Sequence, residues 1–349
     1  SRMAEVFEVV APGLLTTVQD RGRHGYQAFG VPVAGAVDEY ALRIANLLVG
    51  NDENAAGLEI TLLGPTLRVL APTVIAVTGA DLGATRNGQP LPLWEAVAVE
   101  PGDEIRFRGV KQGCRAYLAV AGGIDVPPVM GSRSTYLRGG IGGIGGRALK
   151  AGDVLKAGGL FRADEPATTR RPRAAVCGRR GDAGGSDASP GEVARQIAGR
   201  RVPAEFVPRY GSPITLRVVL GPQDDHFTPA GVATFLSAEY VVTVEADRMG
   251  CRLDGPTIEH AGPADIISDG IPLGAVQVPG HGRPIVMLAD RQTTGGYPKI
   301  ATVISVDIPR IAQAKPGDRV RFAAVSRDEA VRLYREREEG LRRLAQRLA

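Results

Sequence analysis

Glycine and proline set the strongest limit on what this chain can fold into. There are 46 glycines and 25 prolines among its 349 residues, about a fifth of the chain against roughly 12% on average. Glycine is costly inside a helix, and proline removes a backbone donor. So dense a scatter of both predicts many short elements joined by turns and argues against a helical bundle. The apolar share of 44% and charged share of 23% are those of a globular chain rather than a disordered one. At roughly 150 residues per domain the length predicts two domains.

The hydrophobic pattern agrees. Short runs rich in branched residues, bounded by Gly, Pro or Asp, predict strands at 6–10, 58–62, 66–70, 74–78, 96–99, 104–108 and 115–120, and again at 215–220, 240–245, 275–278, 285–288, 301–306 and 320–323. Three helices stand out. Residues 39–49 carry Ala41, Leu42, Ala45, Leu48 and Val49 on one face, with Asp38 as cap and Gly50 as stop. Thr228-Pro229 opens a helix running to about 236. Ser326-x-x-Glu329 is a capping box that opens a final helix from Arg327.

Between the two strand-rich stretches the composition changes. Residues 170–201 are rich in Arg and Gly and almost without large apolar residues at their centre, the signature of a flexible linker. The predicted organisation is a first β unit at 5–163, the linker at 164–211, a second β unit at 212–326, and a C-terminal helix at 327–349. An internal echo supports two related units: Pro101-Gly102-Asp103 and Pro316-Gly317-Asp318 each lead into an alternating strand, Glu104-Ile105-Arg106-Phe107 and Arg319-Val320-Arg321-Phe322.

Charge and composition exclude several functions. The net charge of +4 comes almost wholly from Arg, and aromatics are only 5% and scattered, which argues against nucleic acid as a partner. Cys114, Cys177 and Cys251 are far apart, and His24, His226, His260 and His281 form no HExxH, so no metal site is predicted. No apolar run is long enough to span a bilayer and no secretory signal is evident, so the expected location is the cytoplasm.

What remains is a set of polar, glycine-rich strings: TVQDRGRHGY at 17–26, GVPVAGAVD at 30–38, LVGN at 48–51, TGADLGA at 78–84, YLAVAGGIDVP at 117–127, GSRST at 131–135, LGPQDD at 220–225, DRMGCRL at 247–253, SDGIPLGAVQVPG at 268–280 and LADRQTTGGYPKIATV at 288–303. Ten such strings in one order resemble the allophanate hydrolase subunit 2 family, also known as the family of the 5-oxoprolinase C subunit or the biotin-dependent carboxyltransferase-like family. The resemblance spans residues 6–328 apart from the linker. It departs at Gly280-His281-Gly282-Arg283, where the family often has Gly-Asp-Gly-Gln.

The resemblance implies a mainly β fold: two cyclophilin-like β-barrel units with a few short helices and a C-terminal helix. It implies a smaller family member, the 5-oxoprolinase B subunit or allophanate hydrolase subunit 1, as partner in a hetero-oligomer. It further implies phosphorylation of 5-oxoproline with ATP, and a third hydrolytic subunit that opens the ring to glutamate. Two alternatives belong to the same family: a carboxyltransferase subunit of a urea carboxylase type of system, with biotin carried by a partner, and a non-catalytic regulator of a histidine-kinase inhibitor. None of Met3, Met130, Met249 and Met287 precedes a lysine, so this chain lacks a Met-Lys-Met biotin attachment site.

The residues themselves suggest where chemistry would reside. Gln292, Thr293, Thr294 and Tyr297 place an amide, two hydroxyls and a phenol on a Gly-rich turn, where backbone N–H groups can approach a carboxylate or phosphate. Lys299, two residues beyond Tyr297 on the same face of a continuing strand, would add a cation. Arg133, Ser134 and Thr135 form a second anion-suited cluster. Asp20 and Arg21 are further candidates for substrate binding, and Asp81, at the end of an apolar strand, is the candidate base. The expected catalytic groups are therefore Asp81, Thr294 and Lys299. A GxGxxG match at 140–145 lacks the strand-then-helix context of a dinucleotide site, and there is no Walker A string.

Overall fold

The computed structural model describes residues 3–158 and 190–349. Most of the predicted linker and Cys177 lie outside the described residues. Those described form two compact units, one of residues 3–21, 39–158, 190–209 and 341–349, the other of residues 22–38 and 210–340.

The first unit contains β1 (Ala4–Ala11), β2 (Leu15–Gln19), β3 (Gly57–Thr61), β4 (Thr66–Val69), β5 (Thr73–Asp81), β6 (Ala84–Arg86), β7 (Gln89–Pro90), β8 (Ala96–Val99), β9 (Glu104–Phe107), β10 (Gln112–Val120) and β11 (Val154–Ala157). They make a six-stranded sheet in the order β11-β1-β4-β9-β6-β7 and a five-stranded sheet in the order β2-β3-β10-β5-β8. Phe7, Leu67 and Ile105 of the first sheet share one core with Leu58, Ile75, Val77 and Leu118 of the second. β5 is buried along nearly its whole length. One side faces that core, and the other is covered by α1 (Glu39–Leu48), whose Ala41 carbonyl accepts the Thr78 hydroxyl at 2.6 Å.

The stretch expected to be linker is structured at its described end. α2 (Pro190–Ile197) packs on β5 and β8 and buries Ala194 and Ile197. After it, Gly199 N donates to Ala96 O at 2.8 Å, Ala96 N to Arg200 O at 2.9 Å, and Val202 N to Trp94 O at 3.2 Å. Residues 199–202 thus run along the exposed edge of β8. Covering an edge uses backbone donors and acceptors, which leave no apolar periodicity to read.

The second unit contains β12 (Ile214–Leu220), β13 (Tyr240–Val242), β14 (Gly250–Asp254), β15 (Asp269–Gly270), β16 (Ala275–Gln277), β17 (Ile285–Met287), β18 (Thr294–Gly295), β19 (Lys299–Val303) and β20 (Arg319–Ala324). Seven of these close a barrel in the order β12-β19-β16-β17-β14-β13-β20, with β12 and β20 running parallel at the seam. Inside it lie Leu216, Val218, Val276, Val286, Ala301 and Phe322, with Phe235 of α3 (Pro229–Ser237) stacked on Phe322. Thr228 caps α3 as expected, accepting from Gly231 N at 3.0 Å. β19 ends at Val303 rather than 306, and a 3-10 turn at 305–307 leads into α4 (Ile308–Ala312). α5 (Arg327–Leu348) starts where the capping box placed it, with Glu329 N donating to Ser326 Oγ at 3.1 Å. The mainly β expectation therefore holds, with a closed barrel, two further large sheets, few helices and a C-terminal helix.

The Pro-Gly-Asp echo is a real turn, and it recurs once more than the sequence pattern suggested. At Glu100–Asp103, Lys150–Asp153 and Lys315–Asp318 the fourth residue's carboxylate accepts from the first residue's N–H at 2.8, 2.7 and 3.0 Å. In each, a glycine with φ near +90° donates to a strand carbonyl, Val69, Val9 or Val242 respectively. The middle copy has Ala151 in place of proline, which hides it from a string comparison.

Residues 22–38 count with the second unit, although they precede α1 and were read as part of the first. Ala34 N donates to Ala289 O at 3.1 Å, and the Asp38 carboxylate accepts from Gln313 Nε2 at 2.8 Å. The segment carries a single 3-10 turn at Gln27–Phe29 and no strand, so its assignment rests on hydrogen bonds to residues more than 200 positions away.

Candidate active site

In the second unit, the QTTGGY string sits on a loop fixed at its root. The buried Arg248 grips Asp290 with two hydrogen bonds, Nε to Oδ2 at 3.1 Å and Nη2 to Oδ1 at 3.0 Å, and also donates from Nη2 to Gly35 O at 2.7 Å. Asp247 turns the chain under Arg248 by accepting from Met249 N and Gly250 N. The next residue of the loop, Arg291, donates from Nε to Ile271 O at 2.8 Å and from Nη1 to Leu288 O at 3.3 Å. Burial pushes its guanidinium below the ordinary value.

Beyond Arg291 the loop forms β18, which pairs with β15 in a two-stranded ribbon: Gly270 opposite Thr294 and Asp269 opposite Gly295. A cleft of about 400 Å³ is lined by Gln27, Val33, Ile271, Arg291, Gln292 and Thr293 among others. Gln292, Thr294 and Tyr297 are exposed and Thr293 half-buried. The structure brings Gln292 and Thr293 together at this cleft.

Lys299 departs from its expected position. It is not on the turn beside the exposed Tyr297 but is the first residue of β19 and fully buried. Pro298, also buried, carries the chain from the turn into the barrel wall. Lys299 lies opposite Gln277 of β16. Lys299 Nζ has no hydrogen-bond partner and lies 3.8 Å from Asp269 Oδ2; Gln277 Nε2 is likewise unpartnered. The ribbon rests directly on this pair, since a Cβ added at Gly295 would fall 3.0 Å from Gln277 Nε2.

The first unit holds the other expected residues. Asp20 is buried and its carboxylate is engaged: Oδ1 accepts from the Ser132 and Ser134 hydroxyls, both at 2.7 Å, and Oδ2 from Arg133 N at 2.8 Å. Asp20 N donates back to Ser134 Oγ at 3.0 Å. The buried Thr135 donates its hydroxyl to Val18 O at 2.9 Å, and Arg133 donates Nε to Val126 O at 3.0 Å. Asp20, Arg133, Ser134 and Thr135 are thus one hydrogen-bonded corner, with a part-exposed Arg133 its most accessible member. Arg21 pairs with Glu39 at 2.7 Å. Asp81 stands apart from that corner. It is half-buried at the end of β5, with Oδ1 accepting from Gly83 N at 2.9 Å. The loop at 140–146 spends the N–H groups of Gly140, Gly143 and Gly146 on the carbonyls of Leu137, Arg133 and Gly142, so those donors do not cradle a phosphate. Among the described residues no group of three or more His, Cys, Asp or Glu side chains is placed to hold a metal, and no helix is long and apolar enough to cross a membrane.

Comparison with known proteins places this geometry. The family described as carboxyltransferase domain, subdomain A and B, matches residues 29–324. The chain belongs to this carboxyltransferase-domain family. The 5-oxoprolinase C subunit of Escherichia coli is 36% identical over 98% of this chain and 99% of its own length. The urea amidolyase of Lachancea kluyveri is 34% identical over 97% of this chain, which spans 18% of that much longer protein. The crystal structure of the Kluyveromyces lactis urea carboxylase superposes with a TM-score of 0.83 at 32% identity, covering 98% of this chain and 29% of that one.

Four residues that organise the second unit of this carboxyltransferase-domain chain carried no role in the sequence reading: Arg248, Asp269, Gln277 and Arg291. Gln277 did leave a signal, an amide between Val276 and Val278 in an otherwise apolar strand. A polar side chain at a buried strand position needs a partner or a task. Arg248 and Asp290 are 42 residues apart, and no local pattern pairs them.

Proposed function

We propose that this chain is the C subunit of an ATP-dependent 5-oxoprolinase, acting in a complex with the smaller B subunit. The observation that carries this reading is the end-to-end similarity to the Escherichia coli 5-oxoprolinase C subunit, 98% of one chain against 99% of the other. The second unit supports it chemically. 5-Oxoproline offers a carboxylate and a lactam oxygen, and Arg291, Gln292 and Thr293 gather donors around one cleft. Arg291 and Lys299 supply positive charge on the same unit.

In this reading ATP is a co-substrate of the assembly. As the ring N–H proton passes to a base, the lactam oxygen attacks the γ-phosphorus, the bond to the bridging oxygen breaks, and ADP leaves. Activation by phosphorylation prepares the ring C–N bond for hydrolysis to glutamate by a third protein of the system. This chain's part is to hold the acceptor's anionic groups and to stabilise charge that grows on the lactam oxygen, with Thr294 as donor. Fixed donors aimed at developing charge are the main way proteins speed such steps.

Co-expression with the B subunit and measurement of ADP release tests this. The expected result is release that depends on 5-oxoproline. A second reading, transfer of a carboxyl group from biotin on a partner, draws on the similarity to urea amidolyase and urea carboxylase. Carboxyl exchange with free biotin, without 5-oxoproline-dependent ADP release, would replace the first reading with the second.

A further inference from the structure

The paired residues Lys299 and Gln277 are buried to 0% and 4% exposure, and neither Lys299 Nζ nor Gln277 Nε2 makes a hydrogen bond. Both atoms are donors, the amine with no acceptor capacity at all. Folding has removed them from water without returning a partner, which costs stability. A second observation bears on the same point. The carboxylate nearest to Lys299 in an ion pair is Asp269, whose Oδ2 at 3.8 Å is beyond hydrogen bonding and whose side chain is 59% exposed. Asp269 belongs to β15, a strand of two residues held by β18. The flanking residues Gly270, Ile271 and Thr293 line the cleft.

We propose that Lys299 Nζ and Gln277 Nε2 form a receptor for one carboxylate of a small organic acid, and that Asp269 is the place-holder the incoming carboxylate replaces. A planar carboxylate has two oxygens, one for the amine and one for the amide, so it satisfies both unmet donors at once. Phosphate fits less well. It brings more oxygens and more charge than two donors can meet, and Arg291 has spent Nε and Nη1 on backbone carbonyls. Replacing Asp269 needs no loss of core packing, because that side chain turns out to solvent. The identity of the acid as 5-oxoproline rests on the function proposed above; the receptor itself does not.

The test is thermal melting and calorimetry on the full chain with 5-oxoproline, its uncharged carboxamide, glutarate and inorganic phosphate, for wild type, Lys299→Met, Gln277→Leu and Asp269→Asn. Wild type is expected to gain stability from 5-oxoproline and not from the carboxamide. Lys299→Met and Gln277→Leu should melt at or above the wild-type temperature without ligand, because each removes an unsatisfied buried donor, and should bind about 10- to 100-fold more weakly. Asp269→Asn, at an exposed position, should bind more tightly. Stabilisation by glutarate but not 5-oxoproline would uphold the receptor and count against the 5-oxoprolinase reading. The proposal is overturned if no carboxylate stabilises wild type or if phosphate matches the carboxylates. It is also overturned if Gln277→Leu and Asp269→Asn bind like wild type. Should Lys299→Met not fold, those two variants still decide the matter.

Discussion

Arg248 and Asp290 meet in a two-bond fork inside the second unit, their side chains 4% and 11% exposed. The same guanidinium holds the Gly35 carbonyl at 2.7 Å. One buried side chain thus fixes both the start of the QTTGGY loop and the segment at 22–38.

Removing that guanidinium should be costly. Arg248→Ala leaves the Asp290 carboxylate buried without its partner, and breaking such a pair typically costs about 3–5 kcal/mol. Urea unfolding should show a loss of that order. Arg248→Lys should recover only part of it, because an ammonium cannot reproduce the planar fork.

Thr294→Val tests the exposed donor on the ribbon. Loss of one fixed donor in an active site lowers turnover by about 10²-fold or more. The expected result in the reconstituted complex is a fall of that size in 5-oxoproline-dependent ADP release, with an unchanged melting temperature. Wild-type turnover would remove Thr294 from the chemistry.

The repeated turns predict how the first unit responds to acid. The Asp153 carboxyl is held below its ordinary value of 3.8 chiefly by hydrogen bonds from Arg147, with its own burial opposing and Lys150 N–H assisting. Burial alone would raise Asp103, but the Glu100 N–H, Asn87 and Arg86 outweigh it and its net shift is also downward. A depressed carboxylate stabilises the fold above its unfolded value, and that contribution is lost as pH falls through the folded value. The stability gap between wild type and Asp153→Asn should therefore stay constant from about pH 7 to 5 and close below about pH 4. A gap that widened in acid would contradict this assignment.

Gly122 should tolerate no side chain. Its φ is +89° and its N–H donates to Asn51 Oδ1 at 2.8 Å. An added Cβ would lie 1.9 Å from the Gly158 carbonyl oxygen, which is backbone and cannot rotate away. Gly122→Ala should cost about 2 kcal/mol or more, read as a lower urea midpoint. At Gly102, also left-handed, a Cβ meets nothing within 4 Å, so Gly102→Ala should cost only the conformational part.

The local elements and the family are legible in the residues alone. Branched residues between turn formers marked most strands, Thr228 and Ser326 marked two helix starts, and ten ordered strings carried the resemblance. Those signals are local, because strand alternation, capping and left-handed turns are settled by neighbouring residues. Chain packing places residues 22–38 with the second unit, runs 199–202 along the edge of β8, and buries Lys299 opposite Gln277 rather than exposing it beside Tyr297. Each of these depends on hydrogen bonds or strand register between residues far apart in the chain. A sequence shows which groups could donate or accept, but the partner each one meets is set by how the barrel and sheets close.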